Sequence, residues 1–113
     1  MIIGVAGPYS AETEKQRQQN LEVLNQAAAR LLEMGHIPLI GVNAALPVVQ
    51  QSTLENRYEA IMAISMTVID KCDALLLIEE SPGANRERDF VFAKGLPVYH
   101  NIQDVPATIP GTS

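Results

Sequence analysis

Apolar positions along this chain follow two rhythms: short unbroken runs, and longer stretches where apolar residues return every three or four positions. Residues 2–6 (Ile-Ile-Gly-Val-Ala) are an unbroken run stopped by Gly7-Pro8, the pattern of a strand buried on both faces. Ser10 and Thr13 offer N-caps, and Thr13 with Gln16 has capping-box spacing, so a helix is predicted from about Glu14 to Met34. Leu21, Leu24, Ala28, Leu31 and Leu32 share its apolar side, Lys15, Gln18, Gln19, Glu22 and Arg30 its polar side, and Gly35 suits the C′ position. A second strand is predicted over residues 37–42, followed by a loop with Asn43 and Pro47 and room for a short helical turn. A second long helix is predicted over roughly Thr53 to Ile69, and a third strand over 73–78. After the loop 79–83 come a helix from about Ala84 to Lys94, Gly95 as its stop, and a last strand over 97–100. Asn101 to Ser113 read as a closing segment and tail.

This alternation of strand and helix predicts an α/β fold: a three-layer, flavodoxin-like or Rossmann-like parallel sheet with helices on both faces. Residues 1–113 suit a single domain. In such sheets ligands sit beyond the carboxyl ends of the strands. That singles out Gly7, Pro8, Tyr9 and Ser10, then Gly41 to Asn43, the loop from Glu79 to Glu87, and His100 with Asn101. The second helix has apolar residues around most of its circumference (Leu54, Tyr58, Ile61, Met62, Ile64, Met66, Val68, Ile69). A helix on one sheet face needs a single stripe, so a homodimer or higher homo-oligomer through residues 53–69 is expected.

Composition narrows the function. The chain is 47% hydrophobic and 19% charged, which is enough for a core. Its net charge of −5, with 4% aromatics and no Trp, argues against a nucleic-acid polymer or an anionic membrane surface as partner. A small anion in one local pocket remains compatible with that charge. The single cysteine, Cys72, excludes an internal disulfide framework and points to a reducing, cytoplasmic setting. The first residues lack a basic segment and meet Gly7-Pro8 too early for a signal peptide or a membrane span. Two distant histidines and no spaced carboxylates make a metal site unexpected. With neither a P-loop nor a G-x-G-x-x-G after the first strand, no nucleotide cofactor is expected.

The segment Ser81-Pro82-Gly83-Ala84-Asn85-Arg86-Glu87 joins the third strand to a helix, where backbone N–H groups form an anion site. Gly83 permits close approach of a ligand, and the Ser81 hydroxyl is a phosphate donor. Glu87 falls in the first turn on this reading, where the helix dipole favours its ionised form. Two roles stand side by side: a nucleophile or base at a strand's carboxyl end, or a glutamate that only complements the dipole.

Several stretches in this order resemble the nucleoside 2-deoxyribosyltransferase superfamily, especially its small bacterial and phage relatives. They are Ala6-Gly7-Pro8-Tyr9-Ser10, Gly35-His36-Ile37-Pro38, Cys72-Asp73-Ala74-Leu75-Leu76, Ser81-x-Gly83-Ala84-x-x-Glu87 and Ala93-Lys94-Gly95-x-Pro97-Val98-Tyr99. The resemblance implies cleavage or exchange of an N-glycosidic bond in a nucleoside or nucleoside 5′-monophosphate, with Glu87 attacking the anomeric carbon. Ser81, Gly83 and Ala84 would hold the sugar-phosphate end, and Gly7 to Ser10 the other wall. A serine six residues before the glutamate tilts the substrate toward a phosphorylated sugar.

Two positions depart from the family pattern. Ser65 stands where the family has an aspartate that handles the base, and Ile3 where the transferases have a tyrosine. Ser65 is carried as a substrate-binding position, as is Asn43. The alternative is a non-catalytic module that binds a nucleotide or sugar phosphate. Asp73 and His36 precede their strands and read as structural, Arg86 and Arg88 as a solvated helix face. His100 and Asn101 are better placed for a site, and Arg57 and Tyr58 would reach a partner's pocket across the expected dimer.

Overall fold

The computed structural model describes residues 1–107. Four strands form one parallel sheet in the order β2-β1-β3-β4: β1 (Ile2–Ala6), β2 (Ile37–Leu39), β3 (Ala74–Leu77) and β4 (Val98–Tyr99). Ile3 pairs with Pro38 on one side and Ala74 on the other, and Leu75 pairs with Val98. The helices are α1 (Glu14–Glu33), α2 (Gly41–Gln51), α3 (Arg57–Asp70) and α4 (Pro82–Ala93), with a short 3-10 turn at Ile102–Asp104.

The two central strands supply core to both faces, as their unbroken apolar runs require. Ile3, Val5, Ala74 and Leu76 face one way, against Leu24, Ala28 and Leu31 of α1 and Val105 after the turn. Ala6, Leu75 and Leu77 face the other way, against Ile69 of α3 and Ala84 and Val91 of α4. This is the three-layer α/β arrangement expected from the sequence. The step from β1 to β2 runs to one side of the sheet while β3 returns to the other, so a crevice opens at the carboxyl ends of β1 and β3.

Local signals account for most boundaries. The Thr13 Oγ1 accepts the Gln16 N–H at 3.1 Å, while the Gln16 side chain bonds Asn20 rather than closing the box. Gly35 and Gly95 end α1 and α4 in the left-handed region, with φ of 96° and 77°. Asp73 and His36 are structural. The Asp73 carboxylate accepts the Ile2 N–H at 2.7 Å. His36, 1% exposed, accepts at Nδ1 from the Met1 amine at 3.0 Å, which leaves Nε2–H to donate to the Pro106 carbonyl.

The region after β2 differs from expectation. The strand stops at Leu39, and residues 41–51 form a full helix in place of the predicted loop. It starts without a side-chain cap at Ile40 and carries Pro47 in its interior, two features that argue against a helix locally. Tertiary packing overrides them, since α2 and α3 share the most extensive contact of any two elements among the described residues. α3 consequently begins later than Thr53, at Arg57, where the Asn56 side chain caps the Glu59 N–H at 3.1 Å. Part of the apolar surface expected on the second helix thus faces α2, while Leu54 and Tyr58 stay exposed. Glu59, Ala63, Thr67 and Asp70 take the solvent side of α3. No helix among the described residues is long and apolar enough to cross a membrane.

Candidate active site

The crevice holds a cleft of about 210 Å³ walled by three segments. The β1–α1 loop contributes Gly7, Pro8, Tyr9 and Ser10, α3 contributes Tyr58, Ile61, Met62 and Ser65, and the start of α4 contributes Ser81 to Ala84 and Glu87. The loop is tied down from α1: the Asn20 side chain donates to the Tyr9 carbonyl at 2.9 Å and Arg17 to the Ala11 carbonyl at 2.7 Å.

Ser81 caps α4, its Oγ accepting the Ala84 N–H at 3.2 Å. The hydroxyl proton is then left to donate. Pro82 at N1 has no N–H, and Gly83 at N2 has an N–H with no intrahelical acceptor. A β-carbon on Gly83 would stand 3.3 Å from Met62 Sδ and 3.9 Å from Tyr58 Oη, so a side chain there would take up the cleft mouth.

Glu87 is 8% exposed and lines the cleft, and among the described residues it has no hydrogen-bond partner. Its Oε1 lies against Gly41, the first residue of α2, beside buried Ser65. The helix-dipole expectation does not hold. α4 starts at Pro82, which puts Glu87 at its sixth position, past the first turn where the dipole acts. Burial dominates instead and pushes its pKa up to about 7 from 4.5. Among the described residues no lysine or arginine lines the cleft to oppose this. Arg86 turns to Glu59 at 2.8 Å, and Arg88 to Glu80 and Asp89, both at 3.0 Å.

The structure therefore gathers Gly7, Pro8, Tyr9, Ser10, Ser65, Ser81, Gly83, Ala84 and Glu87 in one cleft. Asn43 is not among them. The start of α2 carries it into a shallow groove toward α1, where it donates to Asn25 Oδ1 at 2.8 Å. His100 lies apart with Arg88, Phe92 and Val98. Tyr58, Ile61 and Met62 are cleft residues that the sequence reading does not place there. A signal for them exists: Tyr58, Met62 and Ser65 follow one another at i, i+4 and i+7, one helical face that includes a position already singled out. Tyr58 reaches this chain's own cleft. No three His, Cys, Asp or Glu side chains gather among the described residues in a way that could hold a metal.

A carboxylate on a largely buried residue, facing a cleft with neutral donors at one end, is equipped to attack an electrophilic carbon or to exchange a proton. No curated protein matches the chain. Residues 1–100 match a family described as a domain of unknown function, DUF4406, and the chain belongs to that family.

Proposed function

We propose that the cleft cleaves or exchanges the N-glycosidic bond of a nucleoside or nucleoside 5′-monophosphate, with Glu87 as nucleophile. The observation that carries this reading is Glu87, a residue 8% exposed whose carboxyl opens onto the cleft at the strands' carboxyl ends. The resemblance to nucleoside 2-deoxyribosyltransferases supplies the reaction. An ionised Glu87 oxygen attacks the anomeric carbon, the bond to the base nitrogen breaks with its electron pair, and the departing base takes a proton from solvent. A second base or water then attacks the same carbon and restores the carboxylate, so two displacements give overall retention.

In this reading the Ser81 hydroxyl and the Gly83 N–H hold the far end of the sugar, and Tyr9 and Ser10 form the facing wall. A desolvated carboxylate is a stronger nucleophile than a hydrated one. The pKa near 7 leaves a substantial ionised fraction at neutral pH. No cofactor enters, and a cytoplasmic setting belongs with such substrates. A homodimer is retained only where apolar surface stays exposed near α3, at Val48, Leu54 and Tyr58. Sedimentation velocity of the parent chain tests that part, a single monomeric species removing it.

One observation favours a second reading, a non-catalytic binding module. Glu87, Tyr9 and Tyr58 are the only titratable groups among the residues lining the cleft, and Ser65 brings no carboxylate to the leaving base. A protonated Glu87 would then donate a hydrogen bond to the ligand. Incubation with deoxynucleosides and their 5′-monophosphates, followed by chromatography of free base, separates the two. Release that disappears in Glu87→Gln supports the enzyme. Thermal stabilisation by a nucleotide in both proteins, with no release from either, supports the module.

A further inference from the structure

Arg86 lies over the ring of Tyr58, and Tyr58 and Gly83 line the cleft. Tyr58 Oη lies 3.9 Å from the position a β-carbon would take on Gly83, and the Arg86 guanidinium carbon lies 5.8 Å from the Tyr58 ring centroid. Arg86 Nη1 is held at 2.8 Å by Glu59 Oε1, both side chains about half exposed. Helical side chains lean toward the N-terminus of their own helix, so Arg86 projects back over the turn containing Pro82 and Gly83. Arg86 is thus a cation set against a tyrosine that lines the cleft, and it is engaged by a carboxylate. Among the described residues the cleft lining offers only neutral donors and Glu87.

We propose that Glu59 and Arg86 form a charge gate that sets whether the cleft accepts a phosphorylated or an unphosphorylated sugar. With the pair closed, Arg86 is withheld and its charge is neutralised by Glu59, so a phosphate gains no cation and the neutral sugar is favoured. Opening it lets Arg86 swing past the Tyr58 ring to a phosphate seated on the Ser81 hydroxyl and the Gly83 N–H. An exposed ion pair is weak enough to exchange, and a guanidinium–phosphate contact is the stronger bond. Glu59 is then a specificity-determining residue, one that need not touch the ligand. The proposal rests on the sugar-binding reading of the cleft given above.

The test uses 2-deoxyribose and 2-deoxyribose 5-phosphate, which ask about this end of the cleft whatever the base. Each is titrated into the parent protein, Glu59→Gln, Arg86→Gln and the double variant, with the Gly83 amide resonance as reporter. Both substitutions lie at exposed positions, and the amide spectrum reports directly whether the fold is kept. The expected result is a preference for the phosphorylated sugar that rises about tenfold in Glu59→Gln and falls back once Arg86→Gln is added. Binding of both sugars with the preference unchanged within about twofold in Glu59→Gln overturns the gate and leaves the sugar-binding reading standing. A preference that rises equally with and without Arg86 also overturns it, because Glu59 would then act by repulsion alone. Failure of either sugar to move the resonance in all four proteins overturns the sugar-binding reading, and the gate with it.

Discussion

Glu87 and Gly41 stand so close that a β-carbon on Gly41 would lie 3.1 Å from the Glu87 Oε1. They are 46 positions apart in the chain, and they bring the first residue of α2 against the second turn of α4. The bare α-carbon is what leaves room there for the carboxyl.

Gly41→Ala tests that contact. Its new methyl would meet Ser65 Cα at 2.8 Å, and a backbone atom cannot swing aside, so α2 must move away from α3. Urea unfolding should show a loss of roughly 1–3 kcal/mol. Turnover should fall further than stability alone explains, because the shift also displaces Glu87. A variant as stable and as active as the parent would mean that α2 is not held against Ser65.

Stability should depend on pH through Glu87. Its folded pKa of about 7 lies above the unfolded value of 4.5, so the folded state holds the extra proton. Stability is then greatest near the lower value and falls as pH rises through 7, by about 3 kcal/mol in all. Glu14 and Asp70 act in the opposite sense and at lower pH. Hydrogen bonds from Arg17 and Lys94 hold their carboxyls below the ordinary range, so their contributions are lost as pH falls. Glu87→Gln should flatten the profile between about pH 5 and 8 and stabilise the protein at the upper end of that range. An unchanged slope in that variant would show that Glu87 is not the group responsible.

If the glycosidic reaction is correct, its pH dependence has the opposite slope. An ionised nucleophile requires kcat/KM to climb through about pH 7 and level off above it, tracking the Glu87 carboxylate. Rates that peak near about pH 5 would instead assign Glu87 as a proton donor.

Gly83→Val should separate the cleft from the fold. The position lies in the first turn of α4, with the flexible Met62 side chain as its nearest neighbour, so a change in stability within about 1 kcal/mol is expected. The added methyls project toward Met62 and Tyr58, where the ligand would enter, and binding measured by thermal shift should be lost. Undiminished binding would move the ligand away from the start of α4.

Ser81 combines two roles that substitution can divide. Ser81→Ala removes both the cap and the hydroxyl donor, at a cost of about 1 kcal/mol. Ser81→Asp keeps a good cap for the Ala84 N–H but puts a negative charge where a phosphate would sit. It should retain stability and bind deoxynucleosides in preference to their 5′-monophosphates, as read by competition. Equal loss of both ligand types would place no phosphate at this end.

Much of the molecule is legible in the chain because it depends on local rules. Buried parallel strands must be apolar without interruption, and residues 2–6 and 74–77 are. Helix ends need caps and left-handed stops, which Thr13, Gly35 and Gly95 supply. All strands being parallel, the loops after β1 and β3 must open at the same end of the sheet, and the pairing of β1 with β3 brings Gly7 to Ser10 and Ser81 to Glu87 together.

What the chain does not reveal depends on neighbours remote in sequence. α2 begins with an uncapped glycine and contains Pro47, so its local signal is poor, and it is a helix because α3 offers it an apolar surface. The same arrangement carries Asn43 out of the cleft and places Tyr58 and Met62 on its wall. The protonation of Glu87 belongs to the same category. Sequence position suggests a carboxylate favoured by a helix dipole; tertiary burial against Gly41 and Ser65 removes water from it, and desolvation outweighs a dipole whose reach ends with the first turn.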